Sequence, residues 1–352
     1  IESQLILEYT LHRTCVGGNK GIQKNLDDGI DTIGKKMTVC QLYAKQIRHR
    51  GNVRYNTKNG RKRLMKLLEE DKLGGCPIDS VKLSDAKEWA IRMKEKGISY
   101  KTISNDKRSL KAAFYTAIQD DCIRKNPFDF QLNTVIEDDT EPKVPLTPAQ
   151  EESFLSFAQN DKVYQKYYDE LIILLGTGLR ISELCGLTDT DIDFENRIIN
   201  VDHQLLRSAE TGYYIETPKT KSGIRQIPMS EKVYEAFNRV LKRRRGAKAV
   251  TIDGYSNFLF LNRDGYPKTA TNYDGMFRGL AKKYNKYHEE ALPKVMTPHT
   301  LRHTFCTNMA NAGMNPKALQ YIMGHSNITM TLNYYAHATF DSAKAEMLRI
   351  AA

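Results

Sequence analysis

The chain has no run of about 18 apolar residues, so no membrane-crossing helix is expected. It has no CxxC pair. The six cysteines are scattered at positions 15, 40, 76, 122, 185 and 306, a pattern that suits reduced thiols in a cytosol and argues against a disulfide framework or a zinc site. No secretory signal pattern stands at the start. Internal repeats, low-complexity segments and the acidic cluster of a metal-dependent nuclease are also missing. The first residue is Ile1 rather than Met, which leads us to expect a fragment or a processed chain.

What is present is a chain of 352 residues, 40% hydrophobic and 27% charged, enough for ordinary cores in about two to three domains. The formal net charge is +11. Residues 37–130 hold 21 Lys and Arg against 11 Asp and Glu, so almost all of the excess lies in that one segment. A polyanion such as nucleic acid is the natural partner, and a solvated basic face is the bland alternative.

Residues 1–36 are polar and Gly-rich, and we read them as a linker plus the remnant of an upstream domain. Residues 37–130 read as about four helices. Thr38 caps the first and Gly74-Gly75 ends the second. Ser84 precedes the third, which stops at Gly97. The fourth carries Ile103, Leu110, Phe114 and Ile118 on one face. Residues 131–145, which hold "VIEDDTEPKVP" at 135–145, read as an extended, exposed linker. From 146 to 340 a second domain begins with a capping box, Thr147 to Gln150 with Pro148 at the first helical position. An apolar helix, a Gly break and another helix follow in "YYDELIILLGTGLRISELCGL". "RIINVD", "YYIETPKT" and "IRQIPM" read as short strands, and helices start near 231, 272, 299 and 315. The tail 341–352, with Phe340 just before it, has Phe340, Ala343, Met347 and Ile350 on one side and reads as an amphipathic helix, for docking on a neighbouring subunit or packing in cis.

Four segments carry chemistry. In "TGLRISEL", Arg180 follows a Gly turn and opens a helix, where a guanidinium can bind phosphate in a bidentate manner, with Glu183 three residues on to orient it. Alone, this pair reads more readily as a surface helical ion pair. In "PKTKSGIRQIPM", Lys219 and Lys221 flank a turn read as a hairpin tip, from which a lysine can act as general acid. In "TPHTLRHTF", His299, Arg302 and His303 share a helical face. The His-x-x-x-His spacing suggests zinc, but Thr300 stands where a zincin has Glu, so no metal is expected. In "MGHSNITMTLNYYAH", Gly324-His325 is followed ten residues later by Tyr334-Tyr335, and nearby cations would favour a phenolate as it forms. Each segment alone has a bland reading as core or surface.

Together and in this order, the four segments resemble the tyrosine recombinase (phage integrase) family, and the spacing around the tyrosines is similar to integrases of conjugative transposons. The resemblance covers 146–340, and the basic segment at 37–130 is similar to the family's core-binding domain. It implies a multidomain α+β fold, with a small all-α bundle before a mainly α catalytic domain that carries a small antiparallel β-sheet. It also implies a site-specific recombinase that cuts and rejoins DNA through a 3′-phosphotyrosine without cofactor or metal. By the resemblance, Arg180 and Arg302 hold the scissile phosphate, His299 assists proton transfer, His325 bonds the phosphate, and Tyr335 is the nucleophile with Tyr334 its neighbour. Glu183 and His303 support, and Lys219 or Lys221 is the general acid. Lys101, Asn105 and Arg108, at helical spacing, are candidates for DNA contact. The partners implied are double-stranded DNA, three further copies in a tetramer, and accessory DNA-bending or excision proteins, all in the bacterial cytosol at the nucleoid. A type IB topoisomerase and a catalytically silent DNA-binding regulator are the rival readings.

Overall fold

The computed structural model describes residues 34–51, 53–141, 144–244, 250–335 and 347–348. The upstream remnant at 1–36 falls almost wholly outside them. So does the tail at 341–352, apart from Met347 and Leu348. No described helix is long and apolar enough to cross a membrane. The chain forms two compact units, Ile1–Glu141 and Pro142–Ala352.

The first unit is a helical bundle: α1 (Val39–His49), α2 (Tyr55–Glu69), α3 (Leu83–Glu95) and α4 (Tyr100–Gln119). Thr38 caps α1 as expected, its hydroxyl accepting from the Gln41 amide while the Gln41 side chain accepts from the Thr38 amide. Two boundaries differ from expectation. Helix α2 stops at Glu69, well before Gly74-Gly75, because the Asp71 side chain takes the Leu73 amide into a turn and pairs with Arg92 at 2.7 Å. Helix α3 starts before Ser84, because Asp85 reaches back to the Lys82 amide at 2.8 Å. The core gathers Trp89, Phe114 and Phe128, with Trp89 edge-on to Phe128 at 5.7 Å. Leu132 and Ile136 are buried in that same core. The expectation of an exposed linker over 131–145 is therefore corrected at its first residues: two apolar side chains tie them down.

In the second unit, α5 (Pro148–Asn160) carries the expected capping box between Thr147 and Gln150. Helix α6 (Tyr168–Thr177) is apolar on most sides and mostly buried, the pattern of a central helix. It packs against α8 (Glu231–Arg244) and α10 (Pro298–Asn311). Between α6 and α8 come α7 (Ile181–Gly186) and five strands: β1 (Ile192–Asp193), β2 (Ile198–Val201), β3 (Gln204–Ser208), β4 (Gly212–Glu216) and β5 (Arg225–Pro228). Helices α9 (Ala270–Tyr287), α11 (Pro316–Met323) and α12 (Thr329–Leu332) complete the described elements.

The strands form two antiparallel sheets, β1-β2-β5 and β3-β4. β4 pairs with β3, whereas β5 pairs with β2 through Ile199 opposite Ile227. Lys219 and Lys221 therefore do not sit on a hairpin tip, contrary to expectation. They sit on the connection that crosses from one sheet to the other, and Lys221–Gly223 forms a single 3-10 turn there.

One buried bond ties the start of this unit to α10: the Leu146 amide donates to the Thr304 hydroxyl at 2.9 Å, and Thr304 is fully buried. Thr304→Val keeps the shape but orphans that amide. We expect it to cost about 1–3 kcal/mol in urea unfolding, where Thr304→Ser should cost less.

Candidate active site

Two helices in the second unit end in the same way. α6 ends at Gly178 with φ of 64°, and α11 ends at Gly324 with φ of 60°, the left-handed C-terminal conformation that glycine adopts without strain. Such ends leave backbone carbonyls without helical partners. Three arginines fill them. Arg302 donates to the carbonyls of Gly178, at 2.5 Å, and Met323. Arg180 donates to Gly324 O at 2.9 Å, and Arg225 to Ile322 O at 2.6 Å. The negative ends of two helix dipoles thus favour the gathering of three guanidiniums.

Glu183 completes the cluster from inside. Its carboxylate is buried and accepts the Arg180 amide at 2.9 Å and the Arg180 guanidinium at 2.7 Å. It also receives a two-pronged bond from Arg225 at 3.0 and 2.8 Å. Burial alone would push its carboxyl up. The Arg225 bonds and the charges of Arg225, Arg180 and Arg302 outweigh that and bring it down to about 2. Arg302 has backbone carbonyls instead of a carboxylate as its hydrogen-bond partners. Burial, and then the charge of Arg180, pulls its pKa down to about 9, so it remains a cation at neutral pH. Three cations around one anion leave an excess of two positive charges, suited to an anion whose charge grows during reaction.

His325 lies in the same turn, buried, with Nδ1 2.9 Å from the Thr331 hydroxyl. Burial and the charges of Arg302, Arg180, Arg225 and His303 lower its pKa to about 4. It is therefore a neutral imidazole here. Gly324 beside it leaves little room for a side chain. A Cβ would stand 3.0 Å from Ser222 O and 3.1 Å from the Arg225 guanidinium, so the Lys-bearing connection packs directly against this turn.

Arg180, Glu183, Arg302 and His325 are thus brought together. His299, at the start of α10, is exposed, as are Lys219 and Lys221. His303 is half-buried, with Nδ1 2.7 Å from the Tyr334 hydroxyl. The Tyr335 hydroxyl donates to Met314 O at 2.5 Å. Both rings rest on a small cluster around Phe305, Cys306, Leu319 and Met323. Burial pushes Tyr335 up, with a smaller push from Cys306, and Tyr334 rises to about 12. For both rings burial is the first cause of the rise, and at Tyr334 the charge of Arg302 works against it. Lys101, Asn105 and Arg108 are all exposed on α4, in the other unit, with Arg108 bonded to Asn105 at 3.1 Å.

Two members of the site were not foreseen. Thr331 gave no signal. Arg225 did: in "IRQIP" it alternates inward with Ile227, and a charged residue at an inward strand position requires a buried counter-charge. Elsewhere in the unit Asp191, Asp202 and His203 bring possible metal donors together, but the His203 ring nitrogens already face Asp202 at 2.6 Å and Gly186 O at 2.8 Å. A cavity of about 760 Å³ lined by Lys166, Arg243, Arg263 and Lys268 shares no residue with the arginine cluster.

Comparison with known proteins agrees with this geometry. The phage integrase family matches residues 145–342, which include the whole arginine cluster and both tyrosines. The chain belongs to the phage integrase family. It is a tyrosine recombinase, an enzyme that cleaves and rejoins DNA. A transposase from transposon Tn916 of Enterococcus faecalis is 69% identical over 341 residues, covering 96% of this chain and 84% of the relative. The Tn1549 transposon integrase, solved in complex with a circular intermediate DNA, is 78% identical with a TM-score of 0.85, over 89% of this chain and 99% of that one. A lambda integrase dimer bound to a core site is 15% identical with a TM-score of 0.59 over 95% of this chain and 84% of that one, a likeness of fold.

The low His325 pKa has a consequence for stability. The unfolded imidazole takes up a proton near pH 6.5, the folded one only near 4, so stability falls as pH drops through that window, by up to about 3 kcal/mol. Above pH 6.5 the residue contributes no slope. Urea unfolding at about pH 7 and about pH 4.5 should show a smaller difference for His325→Gln than for the parent; an equal difference would place the titration elsewhere. Glu183→Gln should be severe, costing about 3–5 kcal/mol, because it leaves Arg225 buried without its counter-charge.

Proposed function

We propose that the arginine cluster binds the scissile phosphate of duplex DNA and that Tyr335 attacks it. The observation that carries this reading is the two-charge excess of three guanidiniums around Glu183. A phosphodiester brings one negative charge and gains a second as the nucleophile arrives, so the cluster supplies the compensation that metal ions supply in kinases. Arg180 and Arg302 hold the non-bridging oxygens. Arg180 has the geometry for it, since its side chain remains about a third exposed while anchored to Glu183.

In the cleavage step the Tyr335 oxygen bonds to phosphorus and the bond to the 5′ oxygen breaks. The phenol proton passes to a base, with His299 the candidate. The leaving oxygen takes a proton from Lys221 or Lys219. His325, neutral, bonds a phosphate oxygen. Bond energy is kept in the 3′-phosphotyrosine, and a partner strand's 5′-hydroxyl reverses the step. For the attack, Tyr335 must give up its bond to Met314.

The substrates on this reading are the ends and circular form of a conjugative transposon, supported by the DNA complexes of the Tn1549 relative. The basic first unit serves as the core-binding domain and presents Lys101, Asn105 and Arg108 to DNA, and four copies act together in the bacterial cytosol. Bases are read by few side chains, whereas phosphate contacts set affinity and its salt dependence.

The test is an adduct assay in EDTA on nicked duplexes carrying such ends. A covalent protein–DNA band is expected, lost with Tyr335→Phe and retained with Tyr334→Phe. Loss with Tyr334→Phe alone would move the nucleophile by one residue. Absence of any adduct on a tightly bound end would leave a DNA-binding protein without cleavage.

A further inference from the structure

We infer that Thr331 is a positioning residue that keeps the proton of His325 on Nε2, so that His325 meets the scissile phosphate as a hydrogen-bond donor and not as a base; this rests on the phosphate reading given above. A neutral imidazole has one N–H and one bare nitrogen, and the bond made by one nitrogen decides which form is present. Of the two ring nitrogens of His325, Nδ1 alone has a bonding partner among the described residues, the Thr331 hydroxyl at 2.9 Å. Thr331 is fully buried, and His325 nearly so.

The hydroxyl sets the direction of that bond. It carries one hydrogen, and among the described residues Nδ1 is its only bonded partner. If Nδ1–H donated, the hydroxyl hydrogen would be left buried without an acceptor, at the cost of a desolvated polar group. If the hydroxyl donates, its hydrogen is used and Nδ1 is the bare nitrogen. The proton then sits on Nε2. That nitrogen is open to solvent, since the sealed side-chain atoms without a partner among the described residues belong to Trp89, Glu170, Asp189 and Tyr273. Burial and the neighbouring guanidiniums keep the ring neutral, which excludes a second proton on Nδ1.

The rest of the turn holds the ring in place. The His325 amide donates to Gln320 O at 3.1 Å and its carbonyl accepts from Gln320 Nε2 at 3.0 Å, so its backbone is clamped from both sides. Thr331 lies on α12, and its carbonyl accepts the Tyr334 amide at 3.0 Å. One residue thus joins the turn of the phosphate ligand to the segment that carries the tyrosines. An Nε2–H bonded to a non-bridging oxygen strengthens its bond as charge grows on that oxygen. It cannot accept the phenol proton, which leaves that step to another group. Thr331, buried behind the ring, acts only through His325.

The test combines imidazole nitrogen NMR of the isotopically labelled whole chain with cleavage rates in the adduct assay. The His325 signal is identified by its loss in His325→Ala. We expect the Nε2–H form in the parent and in Thr331→Ser, and a mixture of forms in Thr331→Val, which keeps the shape without the hydroxyl. Thr331→Val should slow cleavage by about 10- to 100-fold, as loss of a supporting hydrogen bond does at other functional histidines, and Thr331→Ser by less than about 3-fold. In a His325→Ala background, Thr331→Val should cause no further slowing, because the hydroxyl acts through the ring. Should Thr331→Val fail to fold, Thr331→Ala carries the same comparison, and the parent spectrum alone decides the tautomer. An Nδ1–H form in the parent would overturn the inference. So would an equal slowing by Thr331→Val with and without the His325 ring, the mark of a merely structural role. Cleavage at the parent rate by His325→Ala, with the Nε2–H form still seen in the parent, would instead overturn the phosphate reading of His325.

Discussion

One buried carboxylate organises the second unit. Glu183 receives two guanidiniums and a backbone amide, and each donor belongs to a segment that must meet the others for the site to exist. A buried ion pair is rarely a large net source of stability, because desolvation offsets much of the attraction. Its value here is geometric. A charge inside the protein tolerates few arrangements, so α7, β5 and the turn after α11 are held in one.

The arginines have a second set of anchors in the carbonyls at 178, 322, 323 and 324. These carbonyls are available only because two helices end there in left-handed glycines. The same feature explains why Arg302 is a cation without a carboxylate for its hydrogen bonds. Neutral carbonyls satisfy its N–H groups and leave its charge for another anion. Glu183 balances one of the three charges, and the two left over are the electrostatic content of the site.

Much of this was legible in the sequence, because local chemistry set it. The Thr147–Gln150 capping box, the Gly break before Arg180 and the helix that carries Arg302 each follow from residues a turn apart. Features that depend on distant partners were not. The lysines were placed on a hairpin tip because two strands flank them, yet β5 found its partner in β2, more than twenty residues back. Arg225 was read only as part of a strand, since its purpose lies in Glu183, 42 residues away. Ser84 was read as preceding the third helix, but Asp85 reached back to Lys82 and the helix starts at Leu83. The packing of the tyrosines on Phe305, Cys306 and Met323 was not legible, and burial there is the first cause of their raised pKa, with Arg302 opposing it at Tyr334.

The closeness of Gly324 to Ser222 and Arg225 bears on how such an enzyme can change its target. The turn has little spare volume, so a side chain at 178 or 324 must displace its neighbours. The exposed face of α4, with Lys101, Asn105 and Arg108, carries no comparable restraint. On the proposed reading of that face as a DNA contact, retargeting by directed evolution has its tolerant ground there, in a different unit from the proposed chemistry, and drift between lineages can follow the same division: new addresses written on one unit while the cutting machinery of the other stays as it is.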